Sequence, residues 1–228
     1  MYSLLLLNGG VGKRVASDRP KQFIRVNAIP TIVYSLVAAD RVPAITEIVA
    51  NFPPGWQEES ERVVREYAVH TPVRFVAAGD TRQESVAKLV EAATNDHVIV
   101  HESARPLVTS QDFQRLIDAP EANVAYMLPI PFTVAPVDPA SRMVTGYLER
   151  ETLRNVQLPQ KFSRDVLQSA HERAAATGAA FTEDATLVVL DGTPVHFIDG
   201  SDRNIKVTTR TDVKLAGFLL SGGEDDDV

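Results

Sequence analysis

A glycine-rich turn directly after an apolar run constrains this chain more than any other feature. The run from Leu4 to Leu7 is short and entirely leucine, which is typical of a strand buried on both faces. Asn8, Gly9, Gly10 and Gly12 follow at once. Because glycine has no Cβ, its backbone can approach a ligand closely, and successive N–H groups can bind phosphate oxygens. The pattern therefore favours a phosphate-binding loop.

Basic residues flank the turn on its carboxyl side. Lys13, Arg14, Arg19 and Lys21 place four positive charges within nine residues. A strand, a glycine turn and converging cations suit a nucleoside triphosphate, and the alternative is a tight turn with a solvated basic flank. The turn is not a P-loop, which ends in G-K-[ST], and it lacks the third glycine of a dinucleotide fingerprint.

Composition excludes several classes of function. A chain of 228 residues suffices for one domain with a sizeable core, and its net charge of −7 argues against a general nucleic-acid binder. The absence of cysteine excludes disulfides, zinc–thiolate sites and thiol nucleophiles. No apolar run is long enough to span a membrane, and the N-terminus lacks the features of a signal peptide. We therefore expect a cytoplasmic protein that binds neither nucleic acid nor membranes.

Strand-like apolar runs alternate with helical patterns, which indicates an α/β fold with a largely parallel sheet. We predict a single Rossmann-like three-layer domain over residues 1–221 and a disordered acidic tail over residues 222–228. Residues 131–149 are polar and rich in proline, so we predict that they leave the sheet as a protruding β-arm. Thr182 is predicted to cap a helix over Asp184 to Leu190.

Ligands of open α/β sheets bind outside the carboxyl ends of the strands, so residues at those positions are candidates for a site. Gly79 follows a predicted strand and opens a predicted helix. Its lack of a side chain permits close approach, and Asp80 and Ser85 could hydrogen-bond a base or a ribose. The alternative is an ordinary capped helix start.

Two later segments add charge at strand ends. Glu102 ends a predicted strand, and a carboxylate close to bound phosphates is what Mg²⁺ requires. The alternative is an internal ion pair between Glu102 and Arg105. Lys206 could reach a phosphate, or it could be an exposed lysine on a sheet edge.

Taken together, these segments resemble a known family. The residues that carry the resemblance are Gly9–Arg14, Pro20–Phe23, Gly79-Asp80 with Arg82 and Ser85-Val86, His101 with Ala104–Pro106, Leu148–Arg150, Gln157–Phe162, Thr182–Ala185 and Asn204–Thr208. They resemble the 2-C-methyl-D-erythritol 4-phosphate cytidylyltransferases and the closely related ribitol-5-phosphate cytidylyltransferases. The segments occur in family order and cover almost the whole chain, and the sequences P-K-Q-F and N-I-K-V-T are the most specific.

The resemblance implies a reaction in which CMP passes from CTP to a polyol phosphate and pyrophosphate leaves. It implies Mg²⁺ as cofactor, with Glu102 as the metal-binding residue. It implies phosphate-binding catalytic roles for Arg14, Lys21 and Lys206. It implies nucleotide binding by Asn8, Gly9, Gly10, Gly12, Gly79, Asp80 and Ser85. It implies acceptor binding by Arg105, Thr133, Arg150 and Thr182. It also implies a homodimer in which each β-arm, with Thr133 and Arg150, completes the acceptor site of the opposite subunit.

Departures from the family pattern concern mainly the acceptor. Glu102 replaces the usual aspartate, Pro131-Phe132-Thr133 replaces Arg-Asp-Thr, and Asn8-Gly9-Gly10 replaces Ala-Ala-Gly or Ala-Gly-Gly. Methylerythritol phosphate is the favoured acceptor because that enzyme is widespread among bacteria. Ribitol 5-phosphate, or another alditol phosphate for a capsule or teichoic polymer, is the alternative. A nucleotide-binding protein that has lost catalysis is a third reading.

Overall fold

A seven-stranded sheet with helices on both faces forms the body of the protein in the computed structural model, which describes residues 1–10 and 20–222 and only the backbone of Lys21. In chain order the strands are β1 (Tyr2–Leu7), β2 (Arg25–Val26), β3 (Ile29–Pro30), β4 (Ile45–Phe52), β5 (Val73–Ala77), β6 (His97–Glu102), β7 (Val124–Pro129), β8 (Val137–Asp138), β9 (Met143–Val144), β10 (Arg154–Ser163) and β11 (His196–Asp199). The helices are α1 (Thr31–Asp40), α2 (Gln57–Glu66), α3 (Arg82–Ala92), α4 (Ser110–Asp118), α5 (Arg164–Thr177), α6 (Asp184–Leu190) and α7 (Arg210–Leu220).

The main sheet has the strand order β11-β7-β10-β6-β1-β4-β5. All of its neighbours pair in parallel except β10, which is antiparallel to both β6 and β7. The carboxyl ends of β1, β4, β5 and β6 therefore meet along one edge of the sheet. The predicted three-layer fold with a mostly parallel sheet is confirmed.

The leucine run at the N-terminus forms the central strand β1. Because side chains alternate along a strand, Leu4 and Leu6 face one core, which includes Phe113 of α4. Leu5 faces the other core, which includes Leu167 of α5. These side chains are fully buried, and burial of each contributes about 2 kcal/mol relative to exposure. Burial on both faces anchors the start of the glycine turn.

Strand β10 was not predicted from the sequence, because a proline and buried polar residues are more typical of loops. Several of their buried side-chain donors nevertheless have hydrogen-bond partners. Lys161 Nζ donates to the carbonyl of Ala119 at 2.6 Å, and Gln160 Nε2 donates to the carbonyl of Gln157 at 3.2 Å. The pairing of β10 with β7 shifts register between Gln157 and Gln160, which accommodates Pro159.

The predicted cap of α6 is wrong by one residue. Glu183, and not Thr182, is the N-cap, and its carboxylate accepts hydrogen bonds from the N–H groups of Ala185 at 3.0 Å and Thr186 at 2.9 Å. The longer side chain of Glu183 folds back onto the helix start, whereas Thr182 is exposed one position too early.

The predicted β-arm is present as a hairpin outside the main sheet. Strands β8 and β9 pair only with each other, through Val137 with Val144 and Asp138 with Met143. Around this hairpin the arm exposes large apolar side chains to solvent. They are Phe132, Val137, Met143, Val144 and Tyr147.

Within the part of the chain that the structure describes, no helix is long and apolar enough to cross a bilayer. The acidic tail that we predict to be disordered lies outside the described residues from position 223 onward.

Candidate active site

A cleft of about 440 Å³ opens at the carboxyl ends of β1, β5 and β6. Sequence segments far apart in the chain meet there, and most of the residues predicted to bind nucleotide line it. The predicted residues in its wall are Gly9, Gly10, Gly79, Asp80, Ser85, Glu102 and Lys206. This is the edge of the sheet at which open α/β folds bind ligands.

A larger groove of about 600 Å³ lies elsewhere, bordered by α1, the segment 106–111 and the end of α7. Its wall is mainly apolar, with Val33, Leu107 and Leu220 among its members. None of the predicted site residues that the structure describes lines it. The smaller cleft, which contains the predicted site residues, is therefore the candidate active site.

Two glycines bring the loops of this cleft into contact. A Cβ built on Gly9 would collide with the Cβ of Ala78, which follows β5. A Cβ built on Gly79 would collide with the Cβ of Glu84 and would lie 2.9 Å from the backbone nitrogen of Ser85. Only glycine permits these approaches, so the turn after β1 packs directly on the segment after β5.

The start of α3 is held by its own side chains. Thr81, the N-cap, accepts a hydrogen bond from the N–H of Glu84 at 3.1 Å, and the Glu84 carboxylate accepts from the N–H of Asp80 at 2.8 Å. Ser85 Oγ accepts from the N–H of Gly79 at 3.0 Å and donates to the carbonyl of Thr81 at 2.9 Å. The Ser85 hydroxyl therefore fixes the turn, while the Asp80 side chain is exposed at the cleft.

The carboxylate of Glu102 lies among three cations. Lys206 Nζ is 2.9 Å from Oε1 and 2.7 Å from Oε2, Arg82 Nε is 3.7 Å from Oε1, and Arg105 Nε is 4.0 Å from Oε2. Glu102 itself is only 7% exposed. A partly buried excess of positive charge binds anions, because screening by solvent is weak there.

Lys206 is held in place although its segment forms no strand. Asn204 Nδ2 donates to the carbonyl of Leu158 at 2.6 Å, and Arg105 Nη1 donates to the carbonyl of Asn204 at 2.7 Å. The N–H of Val207 donates to the carbonyl of Ala104 at 2.8 Å. These bonds bring the predicted phosphate-binding lysine to the end of β6. They also give Arg105 a structural role, and its predicted contact with an acceptor stays a prediction.

The histidine before Glu102 is unsuited to acid–base chemistry. His101 is fully buried, with its ring edge-on to that of Phe113 at 5.5 Å between centroids. Burial, together with the charge of Arg105, lowers the pKa of His101 to about 3. The ring is therefore neutral near pH 7.

The predicted binding of Mg²⁺ by Glu102 stays a prediction. They contain no group of three or more acidic, histidine or cysteine side chains arranged to hold a metal. Glu102, the predicted metal ligand, has Lys206 Nζ within 3 Å of both carboxylate oxygens. Magnesium commonly takes one or two carboxylates together with substrate phosphates, so this carboxylate would need further oxygen ligands from a substrate.

Asn8, another predicted nucleotide-binding residue, directly follows β1. Asn8 is buried, and its carbonyl accepts a hydrogen bond from Gln22 Nε2. This bond brings the short 3₁₀ turn Lys21–Phe23 next to the glycine turn. Gly12 and Arg14 lie outside the described residues, as does the side chain of Lys21.

Three predicted acceptor residues lie away from the cleft in the single chain. Thr133, Arg150 and Thr182 are exposed and do not line it. Arg150 Nη2 lies 3.4 Å from Glu151 Oε1 at the surface. Such an exposed pair contributes little energy, so it leaves Arg150 available to other anions.

Sequence reasoning gave no role to Arg82, which lines the cleft. It is the first residue of α3, and its Nη2 donates to Asp184 Oδ2 at 2.6 Å. Asp184 in turn accepts from His171 Nε2 at 3.2 Å. His171 and Asp184 are polar residues on the buried faces of α5 and α6, and this pattern could have indicated a partner such as Arg82.

Comparison with known proteins identifies the family. Residues 3–222 match the family model described as 2-C-methyl-D-erythritol 4-phosphate cytidylyltransferase. This chain belongs to that cytidylyltransferase family. The predicted family is thereby confirmed, and with it the nucleotidyltransferase class of enzyme.

Relatives within the family match the chain over nearly its full length. The 2-C-methyl-D-erythritol 4-phosphate cytidylyltransferase of Bacillus thuringiensis (strain Al Hakam) is 35% identical over 223 residues, which cover 96% of this chain and 98% of the relative. A ribitol-5-phosphate cytidylyltransferase of Lacticaseibacillus paracasei is 31% identical, covering 94% and 96%. The crystal structure of the Thermus thermophilus 2-C-methyl-D-erythritol 4-phosphate cytidylyltransferase is similar with a TM-score of 0.78 at 29% identity, covering 97% of this chain and 100% of that one.

The contact between Gly9 and Ala78 gives a prediction for this family member. Gly9→Ala should lower the free energy of unfolding by about 1–3 kcal/mol, because the added methyl overpacks the junction of two loops. The double variant Gly9→Ala/Ala78→Gly should recover most of the loss, since it removes the colliding Cβ. Urea unfolding of the three proteins checks this. A Gly9→Ala protein as stable as the parent, or no recovery in the double variant, would contradict the packing described above.

Proposed function

We propose that this protein transfers CMP from CTP to the phosphate group of 2-C-methyl-D-erythritol 4-phosphate and releases pyrophosphate. One observation carries the proposal: the glycine turn, the Gly79–Asp80 segment and the Glu102–Lys206 pair meet in a single cleft at the strand ends. Membership of the cytidylyltransferase family supports it.

The Gly79–Asp80 side of the cleft is the proposed nucleoside site. Selecting cytosine requires acceptors for its exocyclic amine and donors for its carbonyl. The Asp80 carboxylate is exposed at the cleft and can accept hydrogen bonds, while backbone groups near Gly9 and Gly79 lie at its wall. A volume of about 440 Å³ lies within the range of small-molecule sites.

The Lys206 side is the proposed phosphate site. The acceptor phosphate oxygen attacks the α-phosphorus of CTP, a bond forms between them, and the bond to the bridging oxygen of the β-phosphate breaks as pyrophosphate leaves. Such in-line transfer depends mainly on positioning and on neutralising charge. Lys206 and Arg82 supply positive charge from the described residues, and we propose that Arg14 and Lys21 add to it.

Lys206 has to exchange partners during this reaction. In the free protein its ammonium group is paired with Glu102. Oxygens of a bound triphosphate offer Lys206 a second anion. We propose that the Glu102 carboxylate keeps Lys206 ordered at the cleft until the triphosphate binds. Mg²⁺ is proposed to enter with CTP as part of the substrate, bound chiefly by phosphate oxygens and water.

We further propose that the protein is a homodimer that forms through the β-arm. The exposed apolar side chains on the arm favour burial against another surface. A two-fold pairing of two arms would be self-complementary and would satisfy the free edges of the hairpin. Arg150 and Thr133 would then reach the acceptor site of the opposite subunit, where the planar guanidinium of Arg150 suits a phosphate. A cytoplasmic location also stays a prediction.

Ribitol 5-phosphate is the second candidate acceptor. The altered Pro131-Phe132 sequence of the arm favours it, as does the similarity to a ribitol-5-phosphate cytidylyltransferase. A lapsed enzyme, suggested by Glu102 and Phe132 in place of the family's usual residues, is the third reading, and the presence of Arg14, Lys21 and Lys206 argues against it.

The acceptor is tested by measuring pyrophosphate release from CTP with each alditol phosphate in turn, across a Mg²⁺ titration. We expect the highest kcat/KM with 2-C-methyl-D-erythritol 4-phosphate and no turnover without Mg²⁺. Higher kcat/KM with ribitol 5-phosphate would assign the second acceptor, and no turnover with any acceptor would indicate a lapsed enzyme. Turnover in a metal chelator would refute the role of Mg²⁺.

Lys206 is tested in the same assay. Lys206→Ala should lower kcat by roughly a hundredfold or more, because it removes a charge contact of the transition state. Lys214→Ala is the matched control, since Lys214 is exposed on α7 and does not line the cleft. Equal turnover of the Lys206→Ala protein and its control would remove Lys206 from the phosphate site.

Subunit mixing tests the arm. Arg150→Ala and Lys21→Ala proteins should each be nearly inactive alone. A mixed dimer holds one site with both defects and one site with neither, so activity should return when chains exchange. Arg142→Ala, on the exposed tip of the same arm, should remain active and serves as the control. No recovery in dimers proven to have exchanged chains would place Arg150 and Lys21 in the same subunit's site.

A further inference from the structure

A row of charged groups leads from the cleft into the protein interior. Lys206 pairs with Glu102, Arg82 Nε lies 3.7 Å from Glu102 Oε1, and Arg82 Nη2 donates to Asp184 Oδ2 at 2.6 Å. His171 Nε2 then lies 3.2 Å from Asp184 Oδ1. The side chains of Asp184 and His171 are only 1% and 2% exposed, so the inner half of the row is out of contact with solvent.

Stability alone does not account for the two inner residues. Burial of the Asp184 carboxylate raises its pKa, but the charge of Arg82 and the hydrogen bonds from His171 and Arg82 outweigh this effect and lower the pKa overall. Asp184 is therefore ionised. A buried charge pair is expensive to desolvate, and well-packed apolar residues of similar volume often serve stability equally well. A role other than stability is therefore needed to explain the buried pair of Asp184 and His171.

Each oxygen of Asp184 accepts from a different helix. Oδ2 accepts from Arg82 at the start of α3, and Oδ1 accepts from His171 on α5. With His171 removed, Oδ1 would be buried without this donor, which is unfavourable unless the carboxylate turns. Turning the carboxylate would move the guanidinium of Arg82, because the two groups share the short bond at Oδ2.

The orientation of the Asp184 carboxylate determines where the Arg82 guanidinium lies at the cleft. An arginine side chain has many rotamers, and a fixed partner on one edge of its guanidinium removes that freedom in advance of binding. With its Nη2 edge on Asp184, Arg82 directs Nε towards Glu102 and lines the cleft. The position of Glu102 in turn sets that of Lys206.

We propose that His171 and Asp184 are positioning residues for the cleft: His171 orients the Asp184 carboxylate, Asp184 holds the guanidinium of Arg82, and Arg82 fixes the Glu102–Lys206 pair. Neither inner residue touches a substrate. The kinetic readout of this inference rests on the proposed function, because it needs turnover of CTP.

Two substitutions at His171 separate positioning from packing. His171→Leu removes the hydrogen-bond donor and keeps an apolar filling. His171→Gln keeps a donor that can reach Asp184. We expect kcat/KM for CTP to fall roughly tenfold in His171→Leu, in line with the sensitivity of catalysis to small displacements, and to stay within about twofold of the parent in His171→Gln. Leu167→Val, a fully buried change on the same helix, should lower stability without changing kcat/KM.

A double-mutant cycle tests the route through Arg82. In the Arg82→Gln background, His171→Leu should change kcat/KM by less than about twofold, because the group it acts through is gone. An equal loss in both backgrounds, or an unchanged kcat/KM in His171→Leu, would overturn the proposal. Separate KM values for CTP and for the acceptor identify which phosphate depends on Arg82.

A readout that needs no turnover keeps the proposal testable if the proposed reaction is wrong. The Arg82 Nε–Hε signal in NMR spectra reports how rigidly the guanidinium is held. We expect an ordered signal in the parent and in His171→Gln, and a mobile one in His171→Leu and Asp184→Asn. A signal equally ordered in all four proteins would overturn the positioning role. No turnover by the parent, with the NMR pattern as expected, would refute the proposed function alone.

Discussion

The arrangement of the cleft depends on one carboxylate, that of Glu102, placed among three cations. Its position at the last residue of β6 is fixed by pairing with the central strand β1, where Leu7 is its register partner. The cations come from three other parts of the chain: the start of α3, the loop after β6 and the segment after β11. Without the carboxylate, Arg82, Arg105 and Lys206 would repel one another at close range in a partly buried site. Glu102 therefore lets the protein gather positive charge before an anionic substrate arrives.

The sheet makes this gathering possible. The carboxyl ends of parallel strands lie at the same edge, so the turn after β1, the helix start after β5 and the end of β6 meet there. The antiparallel strand β10 has a separate role, because the carbonyl of Leu158 in it anchors Asn204 beside Lys206. Two glycines then permit backbone contacts that any side chain would prevent.

The features that could be predicted from the sequence are those determined by residues close together in the chain. The leucine run, the alternation of strands and helices and the glycines at strand ends led to the correct fold class and to most of the residues that line the cleft. The strand β10 was missed because its polar side chains include ones whose partners are distant in sequence, such as Lys161, which donates to Ala119. No role was predicted for Arg82, Asp184 and His171 for the same reason. These residues contact one another only because the fold brings three helices together. The N-cap of α6 could not be predicted to the residue, because the side chains of both Thr182 and Glu183 can cap a helix and the fold determines which one does.

A crystal structure of the protein with CTP bound tests the central claim most directly. The account predicts the pyrimidine beside Gly79 and Asp80, and Lys206 Nζ within hydrogen-bonding distance, about 3 Å, of a triphosphate oxygen. It also predicts that the guanidinium of Arg82 stays on Asp184. CTP bound outside this cleft, or a triphosphate in the cleft that leaves Lys206 paired only with Glu102, would contradict it.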